Sequence, residues 1–317
     1  MKNIILLVAI LATFLTAKTL QEPTYTLEST GSVLDIIYKD NKLYSATDAS
    51  TVDIFDTTTH KIVQKIEVEK IKDFMGDIID SKIYSVDLLK NKLMLLSLGK
   101  KGARRVHIYQ GNKLNLVVSD KLGLYIAKAK FLDEHTLLLG LLSNELISYD
   151  IEKQKVNYRI QVSQSKFSNF VLNEDKTEVV VADESGDLKI HNTKDGALLK
   201  ELNGKNLDNV FQVDYKNHII ATAGQDRRTV IYNLKYDSSY FKTASFLIYS
   251  VGLSPSGKLA GYASDESNNV TIFKTSTKSD IATLTQNKMT ITNILFINEK
   301  ELFISSDDKT INFYKLK

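Results

Sequence analysis

Gly224-Gln225-Asp226-Arg227-Arg228-Thr229-Val230-Ile231-Tyr232-Asn233-Leu234 is a turn that leads into an alternating strand ending on an aromatic residue and an amide. Gly suits the turn because it lacks a Cβ, and Asp because its side chain hydrogen-bonds nearby backbone. The same phrase recurs along the chain. Segments 52–56 (VDIFD), 106–110 (VHIYQ), 146–150 (LISYD), 188–192 (LKIHN), 270–274 (VTIFK) and 311–315 (INFYK) align with 229–233 (TVIYN). Their fourth positions are Phe55, Tyr109, Tyr149, His191, Tyr232, Phe273 and Tyr314, at successive intervals of 54, 40, 42, 41, 41 and 41 residues. A period of about 40–45 residues holding four short strands marks a propeller blade. Seven copies predict an all-β fold, a single seven-bladed β-propeller.

The chain of 317 residues has no Cys, no Trp and two Pro, and 43% of it is hydrophobic, ample for a large core. A formal charge of +3 is nearly balanced for this length and gives no electrostatic footprint for nucleic acid. At the start, Lys2 precedes an apolar run from Ile4 to Leu15, with small Ala17 at a cleavage point. That is the pattern of a secretory signal over residues 1–17, too short to span a bilayer comfortably. The expected organisation is therefore a signal peptide, 1–17, and a propeller, 18–317, exported to a bacterial periplasm with no integral span in the mature protein. Without Cys the exported chain has neither disulfide nor lipidation site and must be stable from its core alone. The 300 residues after the leader hold seven 41-residue units with thirteen to spare, the excess of the one long interval.

Within each unit the first hairpin turns on polar residues, such as Asp40-Asn41-Lys42 or Ser254-Pro255-Ser256-Gly257, and the second strand is nearly all apolar. The latter fits strands buried on both faces between neighbouring blades. Parallel βα units are excluded because no segment of helical period separates the strands. The last unit supplies only three strands, whereas 24–27 (TYTL) forms an unpaired strand before the first unit. Closure of the ring by that N-terminal strand, as the outer strand of the last blade, removes an open sheet edge. Two stretches depart from the even period. In 68–82 (VEKIKDFMGDIIDSK), Ile71, Phe74, Met75, Ile78 and Ile79 recur at helical spacing and predict a short amphipathic helix, which Gly76 weakens. The other is 99–105 (GKKGARR). In a propeller these two connections share one face and should be neighbours.

No residue set for catalysis emerges. His60, His135 and His218 fall in hairpin turns, and His191 fills an aromatic slot. No HExxH occurs, so neither a metal site nor a cofactor is expected. Asp48, Asp183, Asp226, Asp265, Asp307 and Asp308 recur before the third strands, where a carboxylate accepting backbone N–H groups tightens the hairpin. No nucleophile elbow or phosphate loop is present. What remains is surface, with two readings for each stretch. Segment 68–82 is either an apolar lid packed on blades one and two or a docking element with Phe74 and Met75 as its anchor. Lys100, Lys101, Arg104, Arg105, Arg227 and Arg228 are either ordinary solvated loop charges or a basic rim for an acidic protein surface or an anionic ligand.

Segments 45–56 (SATDASTVDIFD), 224–233 and 305–314 (SSDDKTINFY) resemble degenerate WD repeats, with Phe or Tyr where the family has Trp. The family's Gly-His dipeptide is missing, which leaves its internal His–Asp hydrogen-bond network without the His. A narrower resemblance, carried by overall organisation and by 73–87 (DFMGDIIDSKIYSVD), is to the NapL-type accessory proteins encoded with the periplasmic nitrate reductase of epsilonproteobacteria. It implies a non-catalytic helper that acts on maturation or electron supply of the reductase, and it brings no site residues. The expected assembly is a monomer that binds protein partners. Two other classes compete. A lactonase- or quinoprotein-like propeller enzyme would need a central metal or cofactor cage, and no convergent His/Glu set is visible. An outer-membrane assembly scaffold would be expected to carry a lipidation cysteine.

Overall fold

The computed structural model describes residues 19–317, and the expected signal peptide lies outside them. Six units of four antiparallel strands over residues 33–67, 83–118, 126–161, 167–202, 210–243 and 251–284, and a seventh of three strands over 291–315, follow one another, here blades one to seven. Each first strand packs against the first strands of both neighbours, and that of blade seven packs against that of blade one, so the ring closes. No α-helix occurs among the described residues. None of their helices is long and apolar enough to cross a membrane.

The core is divided into seven hydrophobic clusters, one at each junction between adjacent blades. This explains the apolar second strands: in Glu178–Asp183 every residue after the first is buried, because both sheet faces meet a neighbour. The aromatic slot is part of the same packing, with Phe55, Tyr149, His191, Tyr232, Phe273 and Tyr314 all buried.

Polar stitches run between the inner strands. Asp35 accepts the N–H of Val86 at 2.9 Å, Asp87 that of Phe131 at 2.8 Å, and Asp214 that of Leu253 at 2.8 Å. Lys130 returns a bond to the carbonyl of Val86 at 2.6 Å, and Asn293 of blade seven reaches the carbonyl of Leu34 in blade one at 3.3 Å. A carboxylate bonded to a neighbour's backbone satisfies groups that the ring would otherwise bury unpaired.

The N-terminal strand closes the ring as expected. Tyr25–Glu28 pairs antiparallel with Thr310–Lys315, Leu27 opposite Ile311, as the outer strand of blade seven. A further strand was not legible in advance. Thr19–Gln21 lies parallel to Asp280–Leu284 and gives blade six a fifth strand, so one N-terminal segment ties two blades.

Candidate docking face and central channel

Residues 68–82 form an antiparallel hairpin, Ile71–Lys72 against Ile78–Ile79, and not the expected amphipathic helix. The reason is local. The Asp73 carboxylate accepts the N–H groups of Met75 and Asp77, each at 2.9 Å, and Gly76 adopts a φ of 94°. An Asp-capped turn with a left-handed Gly reverses the chain where a helix would continue it. At the base, Ile71 is buried, and Asp80 accepts from Ser50 at 2.8 Å and pairs with Lys70 at 3.0 Å. At the tip Phe74 is 97% and Met75 75% exposed, with Ile78 open beside them.

Segment 99–105 is its neighbour, as the topology predicted, and the contact between them is Arg105. Its guanidinium donates to the carbonyl of Glu69 at 2.8 Å and to Ser81 Oγ at 3.0 Å. Arg105 is therefore buried and does not belong to an exposed rim. Strand Arg104–Gln110 begins one residue before it, and alternation along a strand sends Arg104 and Arg105 to opposite faces. Arg104 is half-buried, its guanidinium 4.1 Å from the Tyr84 ring centre. Lys100 and Lys101 are exposed on a short 3-10 turn whose Lys100 N–H is held by Asp120 at 2.9 Å. Arg227 is exposed in blade five, away from this cluster. Arg228 is half-buried, 4.4 Å from the Phe241 ring centre and bonded to the Lys205 carbonyl at 2.9 Å. The basic residues thus divide into exposed Lys100, Lys101 and Arg227, and packed Arg104, Arg105 and Arg228.

The turn carboxylates do structural work. Asp48, Asp183, Asp226, Asp265 and Asp308 accept N–H groups of Ser32, Ser185, Arg228, Ser267 and Thr310 at 2.8–3.1 Å. Burial opposes ionisation of Asp183, yet donors from Ser163, Ser185 and Asn144 hold its carboxyl below the usual range. In blade five Asn206 accepts from Thr222 at 2.8 Å and donates to Asp226 at 3.3 Å, an amide-centred network that holds the turn carboxylate. His191 is buried, its Nδ1 2.9 Å from the Gly196 carbonyl, and burial lowers its pKa.

The ring axis opens on this face into a cavity of about 520 Å³. In six blades a β-bulge near the start of the inner strand puts one residue out of register: Leu34, Tyr84, Ala127, Ser168, Phe211 and Thr292. All six line the cavity, and Tyr249 joins them from the connection into blade six. Bulges re-aim side chains in this way beside binding sites. Phe211 and Tyr249 stack with ring centres 5.1 Å apart. Below them Lys128 donates to Asn169 Oδ1 at 2.8 Å. Burial, then repulsion from Lys130, pushes the Lys128 amine down to about 8 against the pull of Asp35, Asp214 and Asp87. None of these cavity residues except Asp307 stands out in the sequence. The available signal was a polar residue two places into six of the seven inner strands, Asp35, Ser85, Lys128, Asn169, Gln212 and Asn293.

No protein-family model matches the chain, and no curated protein matches it. Among solved structures it is similar to the β-propeller domain of Cps50 (Swd1) from Myceliophteria thermophila. The TM-score is 0.75 over 93% of this chain and 99% of that one, at 14% sequence identity. At that identity the likeness shows the fold, a seven-bladed β-propeller, and function has to be argued from the surface.

Proposed function

We propose that this protein is a non-catalytic scaffold that binds protein partners through the face carrying the 68–82 hairpin. The observation that supports this most is the hairpin tip, where Phe74 and Met75 project into solvent from a base fixed to blades one and two. Exposed apolar groups on a rigid frame mark interaction sites, and buried aromatic anchors usually carry most of the affinity. Lys100 and Lys101, exposed in the segment that adjoins the hairpin base, supply a positively charged margin that speeds encounter with an acidic surface.

The finer reading places this scaffold in a bacterial periplasm, exported by residues 1–17, as a NapL-type helper of the periplasmic nitrate reductase. It is supported by the leader pattern and by the 73–87 resemblance. The test is affinity capture from periplasmic extract with the wild-type chain and with a Phe74→Ala, Met75→Ala double variant, followed by mass spectrometry. The expected result is recovery of nitrate reductase components with the wild type and their loss with the double variant. Recovery of other partners, lost in the same way, would retire the nitrate reductase assignment. Equal recovery with both baits would retire the docking face. Sequencing of the protein purified from periplasm should give an N-terminus at Lys18; an intact Met1 would refute export with cleavage.

A further inference from the structure

We propose that the channel mouth binds a small zwitterion with an aromatic or apolar body, a free dipeptide being the best fit, whose carboxylate meets Lys128 and whose ammonium group meets Asp307. The site is distinct from the hairpin tip, and the inference does not depend on what docks there.

The charges that face the cavity carry the proposal. Asp35 is already engaged, by the Val86 N–H and by Lys130 at 3.7 Å. Lys128 forms no ion pair among the described residues: its ammonium bonds the uncharged Asn169 and lies 5.6 Å from the Phe170 ring centre, with the carboxylates of Asp35, Asp87 and Asp214 acting on it only through space. Asp307 lies on the rim in the turn before Thr310–Lys315. Its backbone N–H bonds the Thr290 carbonyl at 2.9 Å, while its carboxylate has no hydrogen bond or ion pair among the described residues. One unmatched cation and one unmatched anion therefore line the same cavity from blades three and seven, three places apart in a ring of seven and too far apart to pair. Between them stand Tyr84 of blade two on one side and the stacked Phe211 and Tyr249 of blades five and six on the other.

A ligand complementary to this arrangement carries opposite charges at its two ends and an apolar body between them. A volume of about 520 Å³ falls in the usual range of small-molecule sites, and apolar walls with a few placed polar groups are their usual composition. Bulges at six inner strands place a residue on the wall of this space, although Tyr84 and Ala127 also pack against the neighbouring junction cores. A singly charged ligand would leave one wall charge unmatched. Charge-assisted hydrogen bonds at both ends supply orientation as well as affinity.

The experiment is calorimetric titration of the full mature chain with phenylalanylphenylalanine, its N-acetyl derivative, its C-terminal amide and free phenylalanine. Saturable binding of the free dipeptide is expected, with each blocked form weaker by about tenfold or more, the usual effect of losing a hydrogen bond to a charged group. Lys128→Met should weaken the free and N-acetyl forms and leave the amide unchanged. Asp307→Asn, at an exposed turn where folding is not at risk, should weaken the free and amide forms and spare the N-acetyl form. Binding of phenylalanine as tight as or tighter than that of the dipeptide would overturn the proposal, because its two charges share one carbon and cannot reach both walls. Absence of saturable binding by the dipeptide and by phenylalanine alike would overturn the proposal. So would blocked forms that bind as well as the free one, or an Asp307→Asn variant that binds all probes like the wild type.

Discussion

A Cβ built on Gly252 would stand 2.1 Å from the carbonyl oxygen of Ile294, so blades six and seven meet there backbone to backbone. A Gly inside a strand commonly marks such an approach. Gly252→Ala should therefore force the two inner strands apart and destabilise the ring by about 1–3 kcal/mol, the range for overpacking, read as a lowered Tm. An unchanged Tm would mean that the junction can give way. His107 makes a second case. It is buried in blade two, and burial, then the Arg105 charge, pushes its pKa down to about 4 from 6.5. Above pH 6.5 the imidazole is neutral in both states and contributes no pH dependence. Between 6.5 and about 4 the unfolded chain takes up a proton that the folded chain refuses, so stability falls as pH falls, by up to roughly 3 kcal/mol from this group. His107→Asn should flatten that part of the pH–stability curve; His191, shifted in the same direction, keeps its own share. A curve as steep as the wild type's would show that His107 does not refuse the proton. The aromatic slots and turn carboxylates were legible in the sequence because each blade needs them, so a residue type repeats with the period. The cavity residues were not, because a bulge selects a position and leaves the type free, as Leu34, Tyr84 and Ser168 illustrate.

Elements differed in how far their sequence betrayed them. The blades did so fully, since strand alternation and turn chemistry agree in every unit. The 68–82 insertion did not: Ile71, Phe74, Met75, Ile78 and Ile79 have helical spacing, yet a turn at Asp73 decides the local structure, and only Ile71 among them is buried. Spacing reports a helix only when the apolar stripe has a surface to cover. The run Lys100 to Arg105 misled for another reason, since a strand begins inside it and folds its last Arg beneath the hairpin. This assigns separable effects to separable variants. Phe74→Ala should leave stability within about 0.5 kcal/mol of wild type, as for surface changes generally, and weaken partner binding by about 1–3 kcal/mol. A lowered Tm with binding intact would instead make the hairpin a packed lid. Lys100→Glu with Lys101→Glu should slow association, most at low salt, with little change in stability. Arg105→Ala should lower Tm, because it removes the donors held by Glu69 and Ser81 and leaves a gap under the hairpin base. If Arg105→Ala melts like the wild type, the hairpin is held from elsewhere.

At the scale of the whole molecule, stability is a property of the closed ring. Seven junction cores depend on one another, since opening any one exposes two apolar sheet faces. The weakest point is where the chain ends meet, and the N-terminal segment closes it in two ways. Leu27 is buried in the core between blades seven and one, and Tyr25 lies between His60 of blade one, at 3.8 Å between ring centres, and Phe313 of blade seven, at 4.6 Å. Ahead of these, Thr19–Gln21 covers the outer edge of blade six, with the Gln21 carbonyl accepting the Thr285 N–H at 2.9 Å. The two strands should therefore be separable by truncation. A chain beginning at Thr24 loses an edge pairing in which Leu20 is largely exposed, and should melt slightly below a chain beginning at Lys18. A chain beginning at Ser32 also loses Tyr25 and Leu27, leaves Thr310–Lys315 as an open edge, and should lose several kcal/mol or aggregate. A synthetic peptide of residues 19–30 added in excess should then raise the Tm of the shorter chain in a concentration-dependent way, as any ligand of the folded state does. If the chain beginning at Ser32 melts with the chain beginning at Lys18, the ring is held by blade packing alone and the N-terminal strands only decorate it. A large loss from removing Thr19–Gln21 alone would place the latch on blade six and not on blade seven.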